Sequence, residues 1–326
     1  MIRLGTRGSA LALAQARLVA ERLGGEVEIV PITTSGDTQV GAVAPRGTGE
    51  RRVPYDRSRP DPDPTDKSRF VREIEQALLA GEIDIAVHSA KDVPTDFPRG
   101  LLLFAVPGRA DPRDALCGAA SLDALPEGAV VGTSSLRRRA LLLSLRPDLD
   151  VRDVRGNVDT RLRRLGDGDF DALLLAQAGL DRLGRGGEGS PLDPDVLVPA
   201  AGQGTLALQT RDADDEANRV ARGLPGMTGV TDDMTGACMR EERTVVRLLA
   251  ATCNTPIGVH ATGKCEEFIR VTAFIGLPDG SRWIRDELEL PHPHGEGLVG
   301  NHVAERLRVA GADELLAEAE RMVAAG

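Results

Sequence analysis

The sequence predicts an α/β protein that ends in a smaller α+β domain. Short apolar runs are followed by glycine- and hydroxyl-rich turns and then by leucine-rich or amphipathic segments, as at residues 2–23 and 130–145, the pattern of βα units. The run at 170–175 is almost wholly apolar, as expected of a strand covered on both faces. The last hundred residues change style, with a helix at 235–250, strand-like runs at 259–262, 269–275 and 283–290, and a terminal helix.

A chain of 326 residues with 41% hydrophobic content can build two or three cores. Its net charge of -10 argues against nucleic-acid or anionic-membrane partners, and 2% aromatics removes the stacking platforms that single strands need. The four cysteines, Cys117, Cys238, Cys253 and Cys265, form no CxxC pair, so neither a metal site nor a disulfide framework is predicted. Arg17, Glu21 and Arg22 interrupt any leader-like apolar run, and no stretch is long enough to span a membrane. A soluble cytoplasmic protein is expected.

Along the chain, residues 2–4 form a brief strand, and Gly5-Thr6-Arg7-Gly8-Ser9 opens a helix over 10–23. Such a turn offers free N–H groups and a positive dipole end to an anion, with Ser9 capping the helix as the plain alternative. Residues 26–33 complete a β-α-β unit. Residues 39–68 are rich in Pro, Gly, Arg and Asp without periodicity, a long surface loop that serves as linker or lid. An amphipathic helix at 70–79 then leads to the central stretch, GEIDIAVHSAKDVPTDFP at 81–98. There Ile83, Ile85 and Val87 mark a buried strand, and His88, Ser89, Lys91 and Asp92 crowd onto its carboxyl end, held on a loop by Pro94 and Pro98. Ligands of open α/β sheets bind beyond such strand ends. Of the 40 basic residues only Lys67, Lys91 and Lys264 are lysine, so a compact ammonium has been kept beside Asp92 in an arginine-writing chain.

A strand at 100–106 precedes Asp111-Pro112-Arg113-Asp114, where a second domain begins. Val130 to Ser135 repeats the strand, glycine and hydroxyl pattern before a helix carrying Arg137, Arg138 and Arg139. A strand at 150–154 ends at Arg155-Gly156-Asn157 before a helix with Arg161, Arg163 and Arg164. Nine arginines against four aspartates in this window predict a positive cleft for small polyanions, and arginine forks favour carboxylates. Arg139, Arg163 and Arg164 are the candidates for merely solvated helix faces. Arg182 follows the strand at 170–175, and 198–204 crosses back to the first domain, the return being completed at 216–222. Cys253, in a tight Pro/Gly loop, is the candidate reactive thiol. The other cysteines read as inert, and His292 and His294 as an exposed loop.

Through GTRGSALALAQA, HSAKDVPTDFP, DPRDAL, VGTSSLRR, RGNVDTRL, AGLDRLG, PAAGQG and CNTPIG, the chain resembles the porphobilinogen deaminase (hydroxymethylbilane synthase) family over nearly its whole length. The resemblance implies two periplasmic-binding-protein-like α/β domains, at 1–106 with 202–222 and at 107–201, plus a smaller α+β domain at 228–326. It implies a transferase that joins four porphobilinogens head to tail, releases ammonia at each addition and hydrolyses the chain to hydroxymethylbilane. It further implies a dipyrromethane cofactor in thioether linkage to Cys253, with Asp92 catalytic and Lys91 beside it. The carboxylate-binding groups fall on Arg7, Ser9, Lys67, Thr133, Ser134, Ser135, Arg137, Arg138, Arg155, Arg161, Arg182 and Gln203. A cytoplasmic monomer is implied, with no metal, nucleic acid or membrane involved. Two departures from the family pattern are DKSRF in place of GGKGLF before Phe70, and Ala251-Thr252 in place of Gly-Gly before Cys253. A non-catalytic carboxylate receptor is the competing class, opposed by the missing secretion signal and by the Asp92 and Cys253 loops.

Overall fold

The computed structural model describes residues 1–35, 70–95, 97–212, 232–251, 255–264, 267–291 and 297–325. The segment 39–68 with Lys67, the return at 216–222, and Asp96, Cys253, Cys265, His292 and His294 lie outside the described residues. Two compact units are formed, Met1–Gly108 with Thr205–Gly236 and Arg109–Gly204 with Ala237–Gly326.

The first unit contains β1 (Ile2–Arg7), α1 (Ala10–Leu23), β2 (Val27–Ile32), α2 (Arg72–Leu79), β3 (Ile85–Ser89), β4 (Leu101–Ala105) and β10 (Leu206–Arg211). Its sheet runs β2-β1-β3-β10-β4, with β1 parallel to β2 and β3, and β10 antiparallel to both its neighbours. Ile85 and Val87 pack with Ile2, Leu4 and the Ala16, Val19, Leu23 stripe of α1. Ala86, on the opposite face, packs with Ile74, Ala77 and Leu78 of α2. Two-sided burial is why β3 lacks polar alternation, and each large apolar side chain sealed this way contributes about 1.5–3 kcal/mol. His88 and Ser89, expected on a loop, belong to β3, because β10 pairs with them through Ala207 and Leu206. The loop expected after them begins as a single 3-10 turn, Ala90–Asp92.

The second unit repeats this plan with β5 (Asp114–Cys117), β6 (Val130–Gly132), α3 (Leu136–Leu145), β7 (Asp150–Arg152), α4 (Val158–Gly166), β8 (Ala172–Ala176), α5 (Gln177–Arg182) and β9 (Ser190–Pro191). The order β7-β6-β8-β5-β9 has the same parallel and antiparallel senses. The match extends to single bonds: Ala90 N–H donates to Thr205 O at 3.0 Å, and Gln177 N–H donates to Arg113 O at 3.0 Å. The strand end that carries Lys91 and Asp92 in the first unit therefore corresponds to Ala178 and Gly179 in the second.

Also in the second unit, β11 (Ile257–Lys264), β12 (Phe268–Gly276) and β13 (Trp283–Pro291) form an antiparallel meander. Phe274 of β12 enters the core built by Leu141, Leu142 and Leu174. α6 (Asp233–Leu248) precedes this sheet, and α7 (Leu298–Val309) and α8 (Ala312–Ala325) follow it. The single terminal helix expected is thus two, broken where Gly311 takes φ +96, a conformation that favours glycine. Gly204, with φ +85, is required by close approach as well. A Cβ there would lie 2.4 Å from Ala110 O, whose own N–H donates to Gly204 O at 3.1 Å.

Candidate active site

In the first unit, β1 and β3 bring their carboxyl ends to one edge of the sheet as parallel neighbours. The Ser9 hydroxyl caps α1, accepting from Ala12 N–H at 3.3 Å. The Arg7 guanidinium lies 4.1 Å from the centre of the Phe70 ring, a cation–π contact that orients it. Lys91 and Asp92 sit half-buried on the turn after β3, with Val93 N–H donating to Ala90 O at 3.2 Å. Asp84, at the other end of this strand, is spent on structure: it takes both a fork from Arg3, at 2.7 and 3.1 Å, and the Arg3 N–H at 2.9 Å.

His88 is buried, with its Nε2 3.0 Å from Gln209 Oε1. Burial lowers its pKa from 6.5 to about 4, against the opposing influence of the Gln209 bond and the Asp92 charge. Between those values the unfolded chain binds a proton that the folded chain refuses, so the His88 contribution to stability is constant above about pH 6.5 and declines as pH falls towards 4. The expected slope reaches about 1.4 kcal/mol per pH unit. Urea midpoints measured across this window are expected to fall more steeply for the wild type than for His88→Gln, and equal slopes would reject the assignment.

In the second unit the arginine cluster forms around a carboxylate that sequence reasoning left unassigned. Asp114 is fully buried and accepts from Arg137 Nη1 at 2.7 Å, Arg138 Nη2 at 2.7 Å and Nε at 3.0 Å, and Gln203 Nε2 at 2.8 Å. Burial alone would raise its pKa, but the two guanidiniums hold it well below the usual carboxylate range. Arg137 also donates to Val198 O at 2.7 Å and Arg138 to Leu174 O at 2.8 Å. Both arginines stand in the first turn of α3, capped by Ser135, where the helix dipole disfavours positive charge. Asp114 offsets only part of that charge.

Arg161 of α4 supplies the rest of the excess. It is half-buried, donates through Nε to Gly156 O at 2.8 Å, and among the described residues has no carboxylate within ion-pair distance. Burial, followed by repulsion from Arg138, lowers its pKa to about 10. Arg155 is exposed at the end of the neighbouring loop. Two buried guanidiniums sharing one carboxylate, with a third nearby that has no carboxylate partner among the described residues, carry an excess of positive charge that an added anion can offset, and arginine forks favour carboxylates.

The other expected site residues fall in this unit as follows. Thr133 is buried and its Oγ1 accepts from Ser135 N–H at 3.2 Å, while Ser134 donates to Val154 O at 2.5 Å. Gln203 is buried, holding Pro112 O and Asp114, and Arg182 donates to Gly204 O at 2.8 Å. Arg137 and Arg138, read from sequence as forks lining a cleft, are instead inside the unit with their charge shared by Asp114. Arg139, expected to solvate a helix face, donates to Val151 O at 2.9 Å, whereas Arg164 does pair at the surface with Asp169, at 2.7 Å.

This arrangement defines an α/β protein with a buried arginine cluster in one unit and adjacent Lys91 and Asp92 after a strand end in the other. A family model described as porphobilinogen deaminase, dipyromethane cofactor binding domain, matches residues 2–219, and one described as porphobilinogen deaminase, C-terminal domain, matches residues 237–308. The porphobilinogen deaminase of Thermus thermophilus is 44% identical over 326 residues, covering 97% of this chain and 98% of that protein. That of Syntrophotalea carbinolica is 41% identical over 324 residues, with 97% and 95% covered, and that of Deinococcus radiodurans 44% over 296 residues, with 87% and 88% covered. A solved structure of an ancestral cationic amino acid solute binding protein is matched at 16% identity and a TM-score of 0.37, over 70% of this chain and 89% of that one. The chain belongs to the porphobilinogen deaminase family.

Proposed function

We propose that the chain is a hydroxymethylbilane synthase that joins four porphobilinogens head to tail, releases ammonia at each addition, and hydrolyses the product to hydroxymethylbilane. The observation that carries this reading is Arg161, a half-buried guanidinium with no carboxylate partner among the described residues, beside an Arg138 already shared with Asp114. Each porphobilinogen brings two carboxylates, and the dipyrromethane of this family brings several more, so the uncompensated charge fits both. When bound through Cys253, the dipyrromethane supplies the pyrrole carbon to which the first porphobilinogen is joined.

This chain's residues divide the remaining work. Arg155, Arg161, Arg182, Arg7 and Lys67 meet carboxylates. Arg137 and Arg138 set the positive field from within, and Ser9, Thr133, Ser134, Ser135 and Gln203 hold the turns from which these groups act. Asp92 stabilises the cationic pyrrole left by loss of ammonia and accepts its proton afterwards, with Lys91 beside it. The proposal includes a cytoplasmic monomer divided at 1–106 with 202–222, 107–201 and 228–326. No described helix is long and apolar enough to cross a membrane.

Purified protein given porphobilinogen is expected to consume it and release ammonia, to carry added mass before turnover, and to redden acidic Ehrlich's reagent. Neither added mass nor consumption would sink the enzyme reading. Arg161→Leu is expected to cut kcat/KM about tenfold or more, the usual scale of one charge-assisted hydrogen bond. An unchanged kcat/KM would return Arg161 to a structural role.

A further inference from the structure

On the face of the first sheet covered by α2, three side chains make one buried polar chain. Gln209 Nε2 donates to Glu75 Oε1 at 3.0 Å, and Gln209 Oε1 lies 3.0 Å from His88 Nε2. Relative exposure is 6% for Glu75, 6% for His88 and nil for Gln209, so bulk water satisfies little of this chain. The sheet register makes the contact: His88 pairs with Ala207, and Gln209 is its diagonal neighbour on the same face. Because the amide nitrogen is engaged by a carboxylate, the amide oxygen must face the imidazole as an acceptor, and His88 Nε2 therefore carries the proton. Two residues beyond His88 the chain enters the turn that ends in Asp92.

We propose that His88 is a positioning residue for Asp92: the Glu75–Gln209 chain pins it as the neutral Nε2–H tautomer, which anchors the end of β3 while adding no positive charge of its own near Asp92. This rests on the reading of Asp92 as the catalytic carboxylate. The charged groups near the imidazole come from two elements. Asp92 stands on the turn after β3, and Glu75, from α2, stands beyond the amide. Arg211, from β10, stands at the other end of β3, engaged with Leu78 O and Ile83 O at 2.8 Å each and 3.7 Å from Asp84. A carboxylate in place of the Gln209 amide would accept the same bond while holding the imidazole protonated. An imidazolium would then compete for Asp92 with the cation that forms in the reaction.

The test is nitrogen NMR of the imidazoles in purified holoenzyme, with the His88 signals identified by their loss in His88→Gln. The wild type is expected to show a neutral Nε2–H ring from about pH 5 to about pH 8. In Gln209→Glu an imidazolium is expected near neutral pH, with kcat lowered roughly tenfold, KM little changed, and the acid limb of kcat moved to lower pH. The Nδ1–H tautomer, or an imidazolium, in the wild type near neutral pH would overturn the proposal, and that observation stands even if Gln209→Glu fails to fold. An imidazolium in Gln209→Glu with a wild-type pH profile would also overturn it. Failure of the Asp92 reading is seen separately, as wild-type turnover in Asp92→Asn; it would remove the positioning role while leaving the tautomer as found.

Discussion

Asp92→Asn is expected to lower turnover by roughly 10² or more, the usual scale for losing a positioned proton-transfer group. The argument is electrostatic. Loss of ammonia from porphobilinogen leaves a positive pyrrole, and joining the next ring must later release a proton. A carboxylate about 4 Å away stabilises such a cation by roughly 4 kcal/mol at an effective dielectric near 20, more than enough for the predicted loss. We assign this work to Asp92. It stands on the turn closing β3, whereas Asp84 at the opposite end of the strand is committed to Arg3. Burial works to raise the Asp84 pKa, but Arg3 holds it below the usual range, so this carboxylate is ionised and already matched. Asp92→Glu is expected to retain more activity than Asp92→Asn, because the charge survives even where its position shifts. The measurement is single-turnover consumption of porphobilinogen by purified holoenzyme variants. Consumption by Asp92→Asn at the wild-type rate would end the catalytic assignment.

Much of this was legible in the sequence because it depends on local pattern. The turns after β1 and β6 each place a serine before a helix, and Ser9 and Ser135 cap α1 and α3 as that spacing requires. The apolar run around Ile85 and Val87 announced a strand covered on both sides, and it is. The fate of the arginines was not legible. The Leu-Arg-Arg-Arg run reads as two forks lining a cleft and one solvated arginine, and only the antiparallel pairing of β5 with β8 brings Asp114 to where Arg137 and Arg138 can be buried against it. β5 itself reads as a domain start, because its four residues are too few to show a period. His88 was visible as part of a polar crowd, but its partner lies 121 residues away and is set by register alone.

The same limits bear on Cys253, which lies outside the described residues and rests on its motif and on elimination. Among the described cysteines, Cys117 and Cys238 are buried. Burial pushes both thiols up to about 11, with Glu188 and Glu242 respectively adding to it, so neither supplies thiolate at neutral pH. Cys253 instead precedes a well-anchored segment. Thr255 O accepts from Ile257 N–H at 2.8 Å, and Val259 N–H donates to Pro199 O at 2.9 Å. Pro199 adjoins Val198, whose carbonyl Arg137 holds at 2.7 Å, so the chain just beyond the cysteine loop is tied to the arginine cluster. Cys253→Ser is accordingly expected to fold, to carry no added mass, and to show no turnover, because an alcohol near neutral pH provides no nucleophile comparable to a thiolate. Intact-mass measurement and acidic Ehrlich's reagent read attachment directly, and thermal unfolding checks the fold. Added mass equal to that of the wild type would move the attachment away from Cys253, and Cys265→Ser would then be the variant expected to lose it, since the two buried thiols are chemically disfavoured.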